Sequence, residues 1–130
     1  MQRDEIRSYR DLKVWQDAMD LAARCYVVTR SFPRSETYGM TSQIRRAAAS
    51  VPANIAEGYG RDSAGNYVQF LRHAQGSLKE LETHLLLSAR VALVPAAEVD
   101  PLLDSADSLG RMLRSLIRSI ESQSPGPARR

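Results

Sequence analysis

Pro52 falls in the middle of a stretch that otherwise demands a helix, and that conflict narrows the fold more than any other feature of the chain. Met40, Ile44, Ala47, Ala48, Val51 and Ile55 recur every three or four residues and form one apolar stripe, which must be covered by a partner. Proline has no amide to offer the carbonyl of Ala48 and its ring crowds the preceding turn, so a kink is expected there. The other side of the same helix carries Ser42, Ala49, Ser50 and Ala53, where a solvated helix would carry long charged side chains. Two readings stand. Alanine is a strong helix former in its own right, or the small residues let a second backbone approach closely, as at a subunit interface.

Three further segments carry helical periodicity. From about Tyr9 to Ser31, Leu12, Trp15, Met19, Ala22 and Tyr26 alternate spacings of three and four. Leu21, Cys25 and Val28 widen that stripe, so this helix should touch more than one neighbour before Phe32-Pro33 ends it. Tyr67, Leu71, Ala74, Leu78, Leu81, Leu85, Ser88 and Ala92 keep the pattern longest and predict bundle packing at a shallow angle. Val99, Leu102, Ala106, Leu109, Leu113, Leu116 and Ile120 repeat it in a fourth helix. That helix starts at Pro95 in the preferred reading, or at Pro101 with Asp100 as its cap. The layout expected is a flexible lead over residues 1–8, an all-α, antiparallel up-down-up-down four-helix bundle over 9–120, and a disordered tail over 121–130 containing Pro125, Gly126 and Pro127.

Composition sets limits. At 130 residues and 43% hydrophobic content the chain can fill one core but not two. No apolar run suits a membrane span or a signal-peptide core, so no membrane is expected and the cytoplasm is the expected location. The lone cysteine, Cys25, reads as a buried small hydrophobe rather than a nucleophile or half of a disulfide. A formal charge of +3 leans towards anionic partners, and of the 18 cationic side chains only Lys13 and Lys79 are not arginine. Guanidinium forks suit phosphate, although an arginine-rich coding bias would give the same count.

Several motifs taken together point to one family. SQIRRAA, the mid-helix proline, NIAEGYGR and LKELETHLL, with YRDLKVWQDAMDLA before them and GRMLRSLIRSI after, resemble the bacterial four-helix bundle proteins also called 23S ribosomal RNA intervening-sequence proteins. The resemblance covers all but the two ends of the chain. It implies an antiparallel bundle assembling as a ring-shaped homopentamer, with no established catalytic activity. A more distant similarity, to the accessory protein of diversity-generating retroelements, implies a nucleic-acid or reverse-transcriptase partner.

The residues that could carry chemistry are few. Gly58-Tyr59-Gly60-Arg61 could cradle an anion ahead of the third helix, but Gly58 as a left-handed C-cap explains the same residues. His73, Glu80 and His84 share one side of a helix at a spacing too wide for a zinc site and suit a polar face better. No nucleophile elbow or paired catalytic carboxylates appear, so neither an enzyme nor a cofactor is expected. Asn54 and Glu57 after the proline read as structural: Asn54 near the carbonyl left without an amide, Glu57 paired with Arg45, Arg46 or Arg61.

Arginines and a lysine form stripes along the third helix (Arg72, Lys79, Arg90) and the fourth (Arg111, Arg114, Arg118). Bases at the end of the fourth helix and Glu98, Asp100, Asp104 and Asp107 near its start also suit the helix dipole. With Arg45, Arg46 and Arg61, the stripe residues other than Arg90 are the candidate nucleic-acid contacts. Ser42, Ala49, Ser50, Ala53, Leu21 and Val28 are the candidate oligomer interface. Trp15, Tyr26, Tyr67 and Phe70 all look committed to packing, which argues for phosphate contact rather than base reading. Two functions follow: a nonenzymatic oligomeric scaffold binding structured RNA or a nucleic-acid-handling protein, or a protein-interaction module that never meets nucleic acid.

Overall fold

The computed structural model describes residues 5–123; residues 1–4 of the expected lead and 124–130 of the expected tail lie outside the described residues. Four α-helices follow one another: α1 (Lys13–Thr29), α2 (Met40–Tyr59), α3 (Ala64–Arg90) and α4 (Ala96–Gln123). No strand occurs among the described residues. The helices alternate in direction around a closed square, each packing on its two neighbours. Side-chain bonds tie the corners: Arg45 to Thr29 between α2 and α1, Ser50 to Ser77 between α2 and α3, and Arg24 to Ser105 between α1 and α4.

The first helix starts later than its periodicity predicts. Ser8 accepts from the amide of Arg10, and the Asp11 carboxylate accepts from the amides of Arg7 and Ser8, closing a separate 3-10 turn over Tyr9–Asp11. Leu12 is then extended, and α1 begins at Lys13. At the other end α4 runs through Glu121 to Gln123, so the first three residues of the expected tail are helical. Its start at Ala96 matches the earlier of the two readings, with Pro101 carried inside the helix. Pro101 is the sixth residue of the helix, so it leaves the Ala97 carbonyl without its amide partner within an otherwise continuous α4.

The core is a single cluster in which α2 contributes Ile44, Ala47, Ala48, Val51 and Ile55, as its stripe predicts. The α3 stripe is buried from Leu71 to Ser88, but its last member, Ala92, lies beyond the helix with φ of 65°. In α4 the buried set ends on Ile117, one position past the expected Leu116. A straight helix turns at 3.6 residues, so a stripe drawn at 3.5 drifts off the buried face after several turns.

Helix α1 departs most. Its buried residues are Val14, Ala18, Leu21, Ala22, Cys25 and Thr29, whereas Met19 and Tyr26 are exposed and Trp15 is half-buried at the edge of the core. Burial pushes the Cys25 thiol up to about 12, far above its ordinary value, with a small opposing effect from Arg24.

Pro52 is buried within a continuous α2. Asn54 Nδ2 donates to the Ser50 carbonyl at 2.8 Å and to Ser50 Oγ at 3.0 Å, so it serves Ser50 rather than the Ala48 carbonyl that proline strands. Gly58 is not a left-handed cap either. It lies inside α2, and a β-carbon there would stand 2.8 Å from Phe70 Cβ and 3.1 Å from the Tyr67 carbonyl oxygen. Its role is close approach of α2 to α3.

Candidate functional site

The expected interface residues divide. Leu21 is 2% exposed and belongs to the core of its own chain, so it cannot meet another subunit. Ser50 lies against Ser77 Oγ at 2.8 Å within the bundle. Ala49 and Ala53 do face outward, with Ser42 and Val28 partly covered. They continue into a feature the stripe reading of α1 missed: an apolar groove of about 450 Å³ between α1 and α2. Ala49, Pro52 and Ala53 form one wall, and Trp15, Met19 and Tyr26 the other. The proline that interrupts the helix pattern therefore helps line a cleft. Large residues on α1 invite assignment to the core, yet Met19 and Tyr26 are exposed and Trp15 packs against the core only from its edge.

The candidate nucleic-acid contacts also divide. Arg45 is spent inside the bundle: Nε donates to Thr29 Oγ1 at 2.9 Å, a terminal nitrogen donates to the Tyr26 carbonyl at 3.3 Å, and the guanidinium lies 4.6 Å from the Tyr26 ring centre. Arg61 pairs with Glu57 at 2.5 Å and lies 4.7 Å from the Phe70 ring centre, which identifies the partner of Glu57 in a solvent-exposed pair. That loop ends with Ser63, whose side chain accepts from the amide of Asn66 and caps α3.

Arg72 pairs with Glu121 at 3.1 Å, Lys79 with Glu82 at 3.2 Å and Arg111 with Asp107 at 2.6 Å; the three cations are exposed to solvent, although Glu82 is largely covered. Surface pairs of this kind hold their partners weakly, so these cations remain open to exchange for phosphate. Arg114 and Arg118 have no carboxylate partner among the described residues. Arg114 and Lys79 flank a shallow groove of about 280 Å³ between α3 and α4, completed by Gln75, Leu78 and Gly110. Arg46 is likewise exposed and without a carboxylate partner among the described residues, but on α2, away from this groove.

Of the three residues weighed as metal ligands, His84 Nε2 sits 3.5 Å from a Glu80 carboxylate oxygen, while His73 packs edge-on against Phe70. The three do not converge, and no group of three such ligands occurs among the described residues. The aromatic residues are less committed than expected. Tyr26 is 42% exposed, and Tyr38, which the stripe patterns pass over, is 97% exposed. A tyrosine between a turn and a glycine, outside every helical stripe, is the signal that could have drawn attention to it.

A family model described as 23S rRNA-intervening sequence protein matches residues 10–115. A solved structure described as a protein with unknown function from the S23 ribosomal protein family of Bacteroides thetaiotaomicron has a TM-score of 0.72 at 22% identity, covering 80% of this chain and 97% of that one. At that identity the likeness speaks for the fold. None of the curated proteins compared with the chain matches it. No described helix is long and apolar enough to cross a membrane.

Proposed function

The chain belongs to the 23S rRNA-intervening sequence protein family, and from that premise we propose that it is a nonenzymatic, cytoplasmic ring scaffold presenting a phosphate-binding surface to structured RNA. The observation that carries the binding surface is the pair Arg114 and Arg118, one turn apart on α4, two exposed guanidinium groups without a carboxylate partner among the described residues, with Arg114 lining a groove it shares with Lys79. A guanidinium with no internal anion to satisfy it offers its fork to phosphate without first breaking a pair. Repetition around a ring turns a modest charge per chain into many simultaneous contacts.

Assembly into a ring, five copies in this reading, requires two different patches on each subunit. The outward α1–α2 groove supplies one, because its apolar lining has no cover among the described residues. That same groove favours the second reading, a protein-interaction module with no nucleic-acid role.

The test is fluorescence anisotropy of labelled structured RNA and matched DNA against the purified oligomer at low and physiological salt, with the Arg114→Glu/Arg118→Glu double variant as control. Binding that persists at physiological salt, weakens smoothly with added salt and disappears in the variant supports the scaffold. Absence of binding at both salts leaves the protein-interaction module.

A further inference from the structure

Tyr38 is the most exposed of the large apolar residues, and its position is built rather than loose. The connector between α1 and α2 folds into a 3-10 turn at Arg34–Glu36. The Thr37 hydroxyl then donates to the Arg34 carbonyl at 2.8 Å, and the Gly39 amide donates to the Glu36 carbonyl at 3.0 Å. Glu36 Oε1 accepts from the amide of Met40 at 2.9 Å and so starts α2. A β-carbon at position 39 would stand 2.8 Å from that carboxylate oxygen, so glycine is what lets the cap close beside Tyr38. Between these fixed neighbours, the Tyr38 side chain has no hydrogen bond or ring contact among the described residues.

The elements that carry the ring are basic. Arg30 follows α1, Arg34 lies in the connector and Arg46 is in the second turn of α2, while Arg90 ends α3 at the same end of the bundle; the acids at that end, Glu98 and Asp100, open α4, which packs on α1 and α3 and not on α2. All four arginines are exposed and none has a carboxylate partner among the described residues. The acid of the connector, Glu36, is occupied by a backbone amide. An aromatic anchor for a protein partner is normally ringed by groups that exclude water. Here the connector and the two helix ends it joins carry the ring together with Arg30, Arg34 and Arg46, which have no carboxylate partner among the described residues, a combination that suits a base with its phosphates.

We propose that the α1–α2 connector is a stacking site for an unpaired RNA base, with Tyr38 as the platform and Arg34 and Arg46 as neighbouring phosphate contacts. This rests on the reading of the protein as an RNA-binding scaffold and narrows it: the preferred ligand is a hairpin or bulge with splayed bases rather than a continuous duplex.

The experiment compares a labelled RNA hairpin bearing an unpaired loop with a fully paired RNA duplex of equal charge, using wild type, Tyr38→Ala, Tyr38→Phe and the Arg114→Glu/Arg118→Glu variant. Tyr38→Ala should weaken hairpin binding on the order of 5- to 100-fold and leave duplex binding unchanged, while Tyr38→Phe retains hairpin binding because the ring remains. The salt dependence of hairpin binding should be the same in Tyr38→Ala as in wild type, since no phosphate contact is lost. Light-scattering mass of each variant is measured alongside. Equal weakening on both RNAs, or hairpin binding untouched by Tyr38→Ala but lost in the arginine variant, overturns the stacking site and leaves the scaffold standing. A change of assembly mass in Tyr38→Ala overturns it in favour of a subunit contact. Failure of wild type to bind either RNA removes both readings.

Discussion

Arg45 holds the buried hydroxyl of Thr29 from across the α1–α2 contact, its Nε donating to Thr29 Oγ1 at 2.9 Å while that hydroxyl donates to the Cys25 carbonyl at 2.8 Å. Thr29 is 2% exposed, so the hydroxyl has no water to fall back on. Ser88 on α3 is as deeply buried, yet its Oγ has no partner among the described residues.

The two hydroxyls should therefore answer opposite ways to removal. Thr29→Val strands the Arg45 donor and should cost about 1–3 kcal/mol, whereas Ser88→Ala removes an unsatisfied group and should be neutral or mildly stabilising. Urea melts of the two variants check this. Equal destabilisation would mean that Ser88 has a partner after all.

Two glycines should also diverge. Gly58→Ala drives a methyl into Phe70 and the Tyr67 carbonyl and should cost about 1–3 kcal/mol as α2 and α3 are pushed apart. Gly76→Ala meets nothing within 4 Å on an exposed part of α3 and should gain about 0.5–1 kcal/mol from helix propensity. Thermal melts with opposite shifts are the expected result, and a stable Gly58→Ala protein would show that the crossing is looser than its geometry implies.

The thiol supplies a pH dependence. Native Cys25 keeps its proton to about 12, while the unfolded thiol ionises near 9.0. Between those values the unfolded state binds fewer protons, so stability falls as pH rises, with a slope of up to about 1.4 kcal/mol per pH unit from this group. Tyr67, raised from 10.0 to about 12 by burial and then by Tyr59, adds a second alkaline component of the same sign. Cys25→Ala should flatten the decline above pH 9 without abolishing it. Identical alkaline slopes in the two proteins would contradict this account.

Charges placed in the α1–α2 groove should separate assembly from folding. Ala49→Glu/Ala53→Glu alters two outward positions and should leave the helical circular dichroism intact while the light-scattering mass falls to that of a monomer. An unchanged mass would place the subunit interface elsewhere.

Most of the architecture could be read from residue spacing because α2, α3 and α4 each present one apolar stripe, and a single stripe has only one place to go. Ile44 to Ile55 and Leu71 to Leu85 are buried as that logic requires. Helix α1 defeated it because it has two apolar faces, and spacing alone does not say which one meets the core. Val14, Ala18 and Cys25 make a modest stripe, while the bulkier Trp15, Met19 and Tyr26 line the groove. The arginines were harder still. Arg45 and Arg46 are neighbours in the chain, but one reaches back to cap α1 and the other remains exposed, a difference set by the direction each faces on α2.

The chain has one tryptophan, and it stands in the wall of the α1–α2 groove with its ring 5.3 Å from that of Tyr9. Because Trp15 is partly exposed in the isolated subunit, its emission is an intrinsic gauge of what the groove holds. A seated neighbour would shift the spectrum to the blue and shield it from iodide, and dilution would reverse both at the concentration where subunits part. The cleft beside Pro52 thus carries its own optical probe, and its occupancy can be followed in real time without a label.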